Sequence, residues 1–444
     1  MVAPRSLPRV LKFFDISVLA SASMGPAYSL ASTMGPMVAA AGSATPLALF
    51  LLCAIMLCIA VAFAMLSRIA PNAGSSYSWI RESFGPLAGA YAAWLLILSN
   101  FFATMATAVP AGFYTLALLA PAHEQDPRWS AVVGAVWIAG SALLLYAGIR
   151  PTARVTLVAL LVELGVLAAS AVASFFLPPA PATHVHAPVV PVTLAGFVAA
   201  MTLAVWMLDG WEVSASASEE IKDDARASGR GGVTGLLVTT AVLGFCMIAY
   251  LRLGGIGGFV THPSDALAYV GDRLGGNAWR FAIVATVLIS SSSALWTTLL
   301  YLSRSVFAMG RDGVLPRAMG SLDARDEPRW SLLAVALLVT IFELVTGFSP
   351  SAADQLTLVL NGSALFLGLL FAFSALACAR RFAADATARL KGVVIPLAGA
   401  TALLAVLGSA VASEAPLLRW YAWGGLLLGL PFAAWRGLRK PAAG

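Results

Sequence analysis

Apolar stretches long enough to cross a membrane recur from one end of this 444-residue chain to the other. That repetition limits the folds open to it. The hydrocarbon core of a bilayer is about 30 Å thick, so a crossing helix needs about 20 predominantly apolar residues. Such segments fall at about 13–40, 46–67, 87–118, 131–149, 155–177, 193–217, 233–251, 281–303, 331–348, 355–377, 392–412 and 420–435. Only 11% of the residues are charged, too few to cover the surface of soluble domains of this length. The expected fold is an all-α polytopic membrane protein of about twelve transmembrane helices, with residues 1–444 forming one transmembrane domain.

Charge gives the orientation. With both termini on one side, the loops of that side hold 22 of the 27 Lys and Arg residues, and the other side holds Arg128, Arg252, Arg273, Arg280 and Arg419. Cytoplasmic loops carry the excess of Lys and Arg, so both termini are expected to be cytoplasmic, in a multi-pass protein of the cytoplasmic (inner) membrane. The formal charge of +6 is spread over these loops and points to no nucleic acid partner. Cys53, Cys58, Cys246 and Cys378 lie in or beside apolar spans without metal-site spacing, as small buried residues do. No cleaved signal peptide is expected, because Ser21, Ser23, Gly25 and Pro26 interrupt the first apolar run.

Two spans differ from ordinary Leu/Ala/Val helices. The first carries Gly25-Pro26 near its middle and Gly35-Pro36 near its end. Proline removes an amide donor and clashes with the preceding turn, so a break is expected near Met24 to Ala27. The sixth carries Leu208-Asp209-Gly210 at mid-membrane depth, costly in an unbroken lipid-facing helix. Irregular backbone survives there only under protein or beside a wet cavity. Breaks in spans one and six fit two five-helix repeats of inverted topology and a binding site near the midplane. The repeats would be 1–180 and 190–380, with two additional C-terminal helices in 390–436. Gly-Pro kinks with no further meaning are the plainer alternative for each break taken alone.

Few side chains in these spans carry chemistry. Asp209 and Glu212 can cap a new half-helix, or Asp209 can face the cavity and pair with a substrate ammonium. Glu163, mid-way along span five, suits a proton or cation, or a bond to a neighbouring hydroxyl. Glu343 in span nine is a weaker case, nearer its span's end. Span eight contains Ser290-Ser291-Ser292-Ser293 and then Trp296. Those hydroxyls could ligate Na⁺ or bond the carbonyl one turn back. Trp206 and Trp211 flank the second break and can stack on a cation or serve as packing.

Four segments resemble the amino acid–polyamine–organocation transporters, and this chain is identified as a member of that superfamily. They are Pro71-Asn72-Ala73-Gly74-Ser75-Ser76-Tyr77 after span two, Phe84-Gly85-Pro86 with Gly89 and Trp94, Asp209-Gly210-Trp211-Glu212 followed by Glu219-Glu220-Ile221-Lys222, and Ser303-Arg304 through Leu315-Pro316. The resemblance implies the five-plus-five inverted repeat and alternating access around spans one and six. Compared with arginine/agmatine antiporters, Trp206 takes the place of a gating tryptophan and Trp296 of a cavity-wall tryptophan. Met24-Gly25-Pro26-Ala27 matches the segment whose backbone amides hold a substrate carboxylate. Pro26 removes one such donor, and a nest lacking one N–H is a poorer carboxylate site. Glu163 stands where several relatives have a lysine, which reverses the charge.

The resemblance therefore makes Ser21, Ser23, Met24, Gly25, Pro26, Ala27, Tyr28, Asn100, Trp206, Asp209, Gly210, Trp211 and Trp296 candidate substrate-binding residues, and Glu163, Ser292 and Ser293 candidates for ion coupling. No cofactor is expected beyond H⁺ or Na⁺ as a coupling ion. The expected activity is H⁺- or Na⁺-coupled import of a cationic substrate such as a polyamine or basic amino acid, with exchange of neutral amino acids as the alternative. The expected partners are a small amino acid or amine and the lipid bilayer, for a monomer or homodimer. A membrane-embedded hydrolase would need a base beside a span-eight serine, but His123, His184, His186 and His262 all fall in outer loops. A ligand sensor would be favoured by a fused signalling domain, and no segment of these 444 residues reads as one.

Overall fold

The structure is a computed structural model that describes residues 6–180, 192–222, 224, 226–263, 266–413 and 416–437. His184 and His186 lie outside the described residues. Helices account for nearly all of the rest: α1 Phe13–Ser23, α2 Pro26–Ala41, α3 Thr45–Ile69, α4 Ser76–Phe84, α5 Pro86–Leu119, α6 Pro127–Tyr146, α7 Ile149–Phe176 and α8 Leu194–Met207, then α9 Val213–Ser216, α10 Ala227–Thr261, α11 Ala266–Gly275, α12 Asn277–Arg311, α13 Arg329–Thr346, α14 Ala352–Phe382, α15 Ile395–Ser413 and α16 Pro416–Gly437. Among the described residues the β-structure is confined to one bridge, between Leu11 and Ile221.

Nine described helical segments are long and apolar enough to cross a membrane. The first of them, Phe13–Ile69, contains both the first and the second span. The sixth span is absent from that set because it is broken into α8 and α9, and α16 supplies the twelfth. Both spans expected to be interrupted are interrupted, at Met24-Gly25 and at Leu208 to Glu212. Two helices form where the sequence suggests only loops. Over nine or ten residues, α4 buries Tyr77, Trp79 and Ile80, and α11 buries Leu267, Val270 and Leu274. Each is amphipathic and too short for the length criterion that finds a span.

The long helices α5 and α12 form the centre, each with 78% of its apolar window buried, against 33% for α6 at the periphery. Helix α5 packs on α12, α14, α6 and α16. Outward-facing apolar side chains such as Val136, Leu143, Leu337, Phe176 and Leu427 form the lipid-facing surface. The excess of exposed Leu, Val and Phe is therefore what a bilayer solvates rather than a fault of the fold.

One end of the bundle is closed by polar contacts. Val10 and Leu11 N–H groups donate to Glu220 O at 2.8 and 2.9 Å, and Lys222 N–H donates to Leu11 O at 2.8 Å. Directly beneath, Arg304 from α12 reaches Glu220 at 3.0 Å and Glu327 at 2.9 Å, with all three side chains at most 9% exposed. Arg311 grips Glu219 at 2.7 Å, whose Oε1 also accepts the Ala73 N–H at 2.9 Å. These ties join the start of the chain, the α3–α4 turn, the loop after α9 and the end of α12. Ser75 in that turn has φ +41, in the left-handed region that favours glycine. Its hydroxyl meets Tyr301 OH at 3.2 Å.

Candidate functional site

Helix α1 stops at Ser23, and Gly25 turns the chain with φ +51 and ψ 65 before Pro26 starts α2 at its first position. Proline is well suited there because that N–H has no helical partner in any case. The other donors at this helix start are all satisfied within the protein. Gly25 N–H donates to Ala22 O at 3.1 Å and Ser29 N–H to Gly25 O at 2.7 Å. Ala27 N–H donates to Glu163 Oε1 at 2.8 Å, and Tyr28 N–H to Ser290 Oγ at 3.0 Å. Ser290 in turn donates to the same Glu163 oxygen at 2.5 Å. A carboxylate from α7 thus sits at the positive end of α2, where a helix start attracts an anion. Glu163 is 0% exposed, and its Oε2 is buried without a hydrogen-bond partner.

The second break lies against the first. Gly210 has φ +114, and a Cβ added there would stand 2.8 Å from the backbone C, the O and the Oγ of Ser23. Only glycine permits both the dihedral and the contact. Asp209 is half-buried at this junction. Glu212 reaches back to accept the Gly210 N–H at 3.1 Å. This is the return half of a capping arrangement, moved one residue along from Asp209.

Between the breaks is a small cavity of about 20 Å³, lined by Ser23, Met24, Tyr28 and Ser29 of the first span, Ala103 and Thr107 of α5, Trp206, Asp209 and Gly210 of the sixth span, and Ala294 and Thr298 of α12. Asp209 is the one charged side chain in that lining among the described residues. Six residues expected at the site from the sequence line it: Ser23, Met24, Tyr28, Trp206, Asp209 and Gly210. Gly25, Pro26 and Ala27 build the turn behind it.

The remaining expected residues sit elsewhere. Ser21 Oγ donates to Gly235 O at 3.4 Å on the opposite side of α1. Asn100 bonds its own helix at Leu96 O. Trp211 is buried against Phe63 and Phe371, with ring centroids 5.0 and 5.6 Å away. Trp296 donates to Thr156 Oγ1 at 2.9 Å. Ser292 and Ser293 donate to Leu288 O and Ser290 O of their own helix. Their neighbour Ser290 is the serine that meets Glu163. Glu343 is buried beside Gly134 on α6, away from the cavity. His123 and His262 are exposed, and His262 stacks on Tyr269. The lining residues not singled out from sequence are Ser29 and two pairs of small residues at four-residue spacing, Ala103/Thr107 and Ala294/Thr298. That spacing puts each pair on one helical face.

This arrangement, with two spans broken side by side around a small cavity that one carboxylate faces, is that of a membrane carrier. The chain belongs to the amino acid permease family, whose pattern matches residues 11–416. The family is one of permeases rather than enzymes. The chain is 26% identical over 310 residues to the branched-chain amino acid permease BcaP of Lactococcus lactis, with 64% of this chain and 65% of that protein covered. It is 25% identical over 391 residues to BcaP of Bacillus subtilis, covering 83% and 79%. Against the methylthioribose transporter of Bacillus subtilis it is 23% identical over 328 residues, covering 70% and 69%.

Proposed function

We propose that this protein is a secondary transporter of the cytoplasmic membrane, with both termini cytoplasmic, that carries a small amine whose ammonium pairs with Asp209. The observation that supports it best is the pairing of two facts. Asp209 is the only charged group facing the cavity among the described residues, while every amide at the start of α2 is already satisfied. A substrate carboxylate would find no free donor at α2, whereas an ammonium finds a half-buried carboxylate, and a charge pair attracts more strongly there than in bulk water. The substrate is thus richer in ammonium than in carboxylate, such as a diamine or a basic amino acid. Glu163 is the coupling group, taking a proton at Oε2 and passing its state to α2 through Ala27.

A second reading rests on the two relatives named as branched-chain amino acid permeases and on the apolar wall formed by Ala103, Ala294 and Met24. In it, Asp209 still takes the ammonium and the aliphatic side chain lies on that wall. Reconstituted protein separates the two. Uptake of labelled putrescine, arginine, leucine and glutamate would be measured under an imposed proton or sodium gradient. We expect concentrative uptake of putrescine or arginine with the proton gradient, lost in Glu163→Gln. Leucine uptake that exceeds both and persists in Glu163→Gln would favour the second reading and remove Glu163 from coupling.

A further inference from the structure

A proline in the middle of α5 creates an acceptor that the first span uses. Pro110 has no N–H, so the carbonyl of Ala106, four residues earlier, lacks its helical donor. A buried carbonyl left in that state costs free energy, and deeply buried backbone groups are nearly always paired. The phenol of Tyr28 supplies the missing donor, with its OH 2.7 Å from Ala106 O. Tyr28 is 2% exposed and Ala106 0%.

Tyr28 is also the third residue of α2 and part of the cavity wall. Its own N–H is held by Ser290 of α12, and its neighbour Ala27 is held by Glu163 of α7. The start of α2 is therefore tied to three other spans, and the tie to α5 exists because Pro110 is not an ordinary helical residue. We propose that Tyr28 and Pro110 form a latch that fixes the half-helix α2 against α5, making Tyr28 a positioning residue for the substrate cavity. The reading of that cavity as the substrate site underlies the second half of this statement. The latch itself does not depend on it.

The pairing predicts its own rescue. Tyr28→Phe removes the hydroxyl and leaves Ala106 O without a donor. Pro110→Ala restores an N–H that can close the normal helical bond to Ala106 O. Hydrogen–deuterium exchange of residues 24–32 in purified protein needs no substrate. We expect exchange in this segment to rise about tenfold in Tyr28→Phe, the scale of one lost buried hydrogen bond, and the excess exchange within α5 around Ala106 to disappear in the Tyr28→Phe/Pro110→Ala double variant. In proteoliposomes, the KM for whichever of putrescine or leucine is carried should rise about tenfold in Tyr28→Phe, with the maximal rate changed less. The double variant should keep this raised KM, because the bond from α2 to α5 is still missing while Ala106 O is again satisfied within α5. Wild-type exchange in Tyr28→Phe, or a double variant no better than Tyr28→Phe at Ala106, would overturn the latch. Altered exchange with unaltered KM, together with uptake that is indifferent to Asp209→Asn, would instead retain the latch and overturn the cavity as the substrate site.

Discussion

Arg304→Met is expected to lower the stability of the folded protein by about 3–5 kcal/mol, because it strands two buried carboxylates. Glu220 and Glu327 both bond this guanidinium, and their side chains are only 0% and 9% exposed. Removing the cation leaves two like charges facing each other without water. With an unfolding entropy of about 2.1 cal/mol/K per residue, that loss corresponds to a fall of roughly 3–5 °C in the apparent melting midpoint. The triple variant Arg304→Met/Glu220→Gln/Glu327→Gln should recover most of it, since neutralising a whole buried ionic cluster is much cheaper than breaking one. Melting in detergent, followed by tryptophan fluorescence, checks both. A single variant that melts with the parent would mean that water reaches these carboxylates, contrary to their burial. The triad underlies the Leu11–Ile221 bridge, so the same variant should also loosen that end of the bundle.

Gly210→Ala should nearly abolish uptake while the protein still inserts. Two costs combine at this position. The dihedral, φ +114, is one that L residues rarely adopt, worth about 1–3 kcal/mol of strain. The added methyl would also stand 2.8 Å from Ser23, and overpacking of that kind typically costs about 1–3 kcal/mol more. The chain can relieve both only by moving the two breaks apart, which destroys the cavity between them. A fall in uptake of well over tenfold follows, since each 1.4 kcal/mol or so is a factor of ten. Gly165→Ala on α7 is the control, because a Cβ there meets nothing within 4 Å. It should transport as the parent does, with a slightly better helix. Comparable uptake by the two variants would show that the breaks do not need to touch.

The two breaks were legible in the sequence because glycine, proline and aspartate are out of place at mid-membrane depth. The spans were legible because apolar length is a strong signal. The phase of each helix was not legible. Four consecutive serines turn through 100° per residue, so nothing in Ser290 to Ser293 says that Ser290 alone meets α7. The same uncertainty of facing sends Ser21 to Gly235 and Ser23 to the cavity, two residues apart on α1. The place of Trp211 and Trp296 beside the break and in the resembled pattern makes them candidate cavity residues. Packing against Phe63 and a bond to Thr156 hold them elsewhere. The contact between Glu163 and Ala27 joins positions 136 residues apart. No local pattern encodes it, although a lone carboxylate in an apolar span already called for a partner. Ala103, Thr107, Ala294 and Thr298 give no signal in the sequence, because small residues carry no chemistry of their own and a cavity wall needs only that they be small.

The most direct test of the site is the affinity of the purified protein for three forms of one ligand: leucine, its amide and its N-acetyl derivative. Leucine presents both charged groups, leucinamide keeps only the ammonium, and N-acetyl-leucine keeps only the carboxylate. If Asp209 reads the ammonium and the α2 amides are already taken, leucinamide should bind at least as tightly as leucine. N-acetyl-leucine should bind at least about 100-fold more weakly, as expected when one partner of a desolvated charge pair is removed. Asp209→Asn should erase that difference. Tight binding of N-acetyl-leucine with loss of leucinamide would contradict the account, because it would place the recognised group at the start of α2 and leave Asp209 without a substrate role.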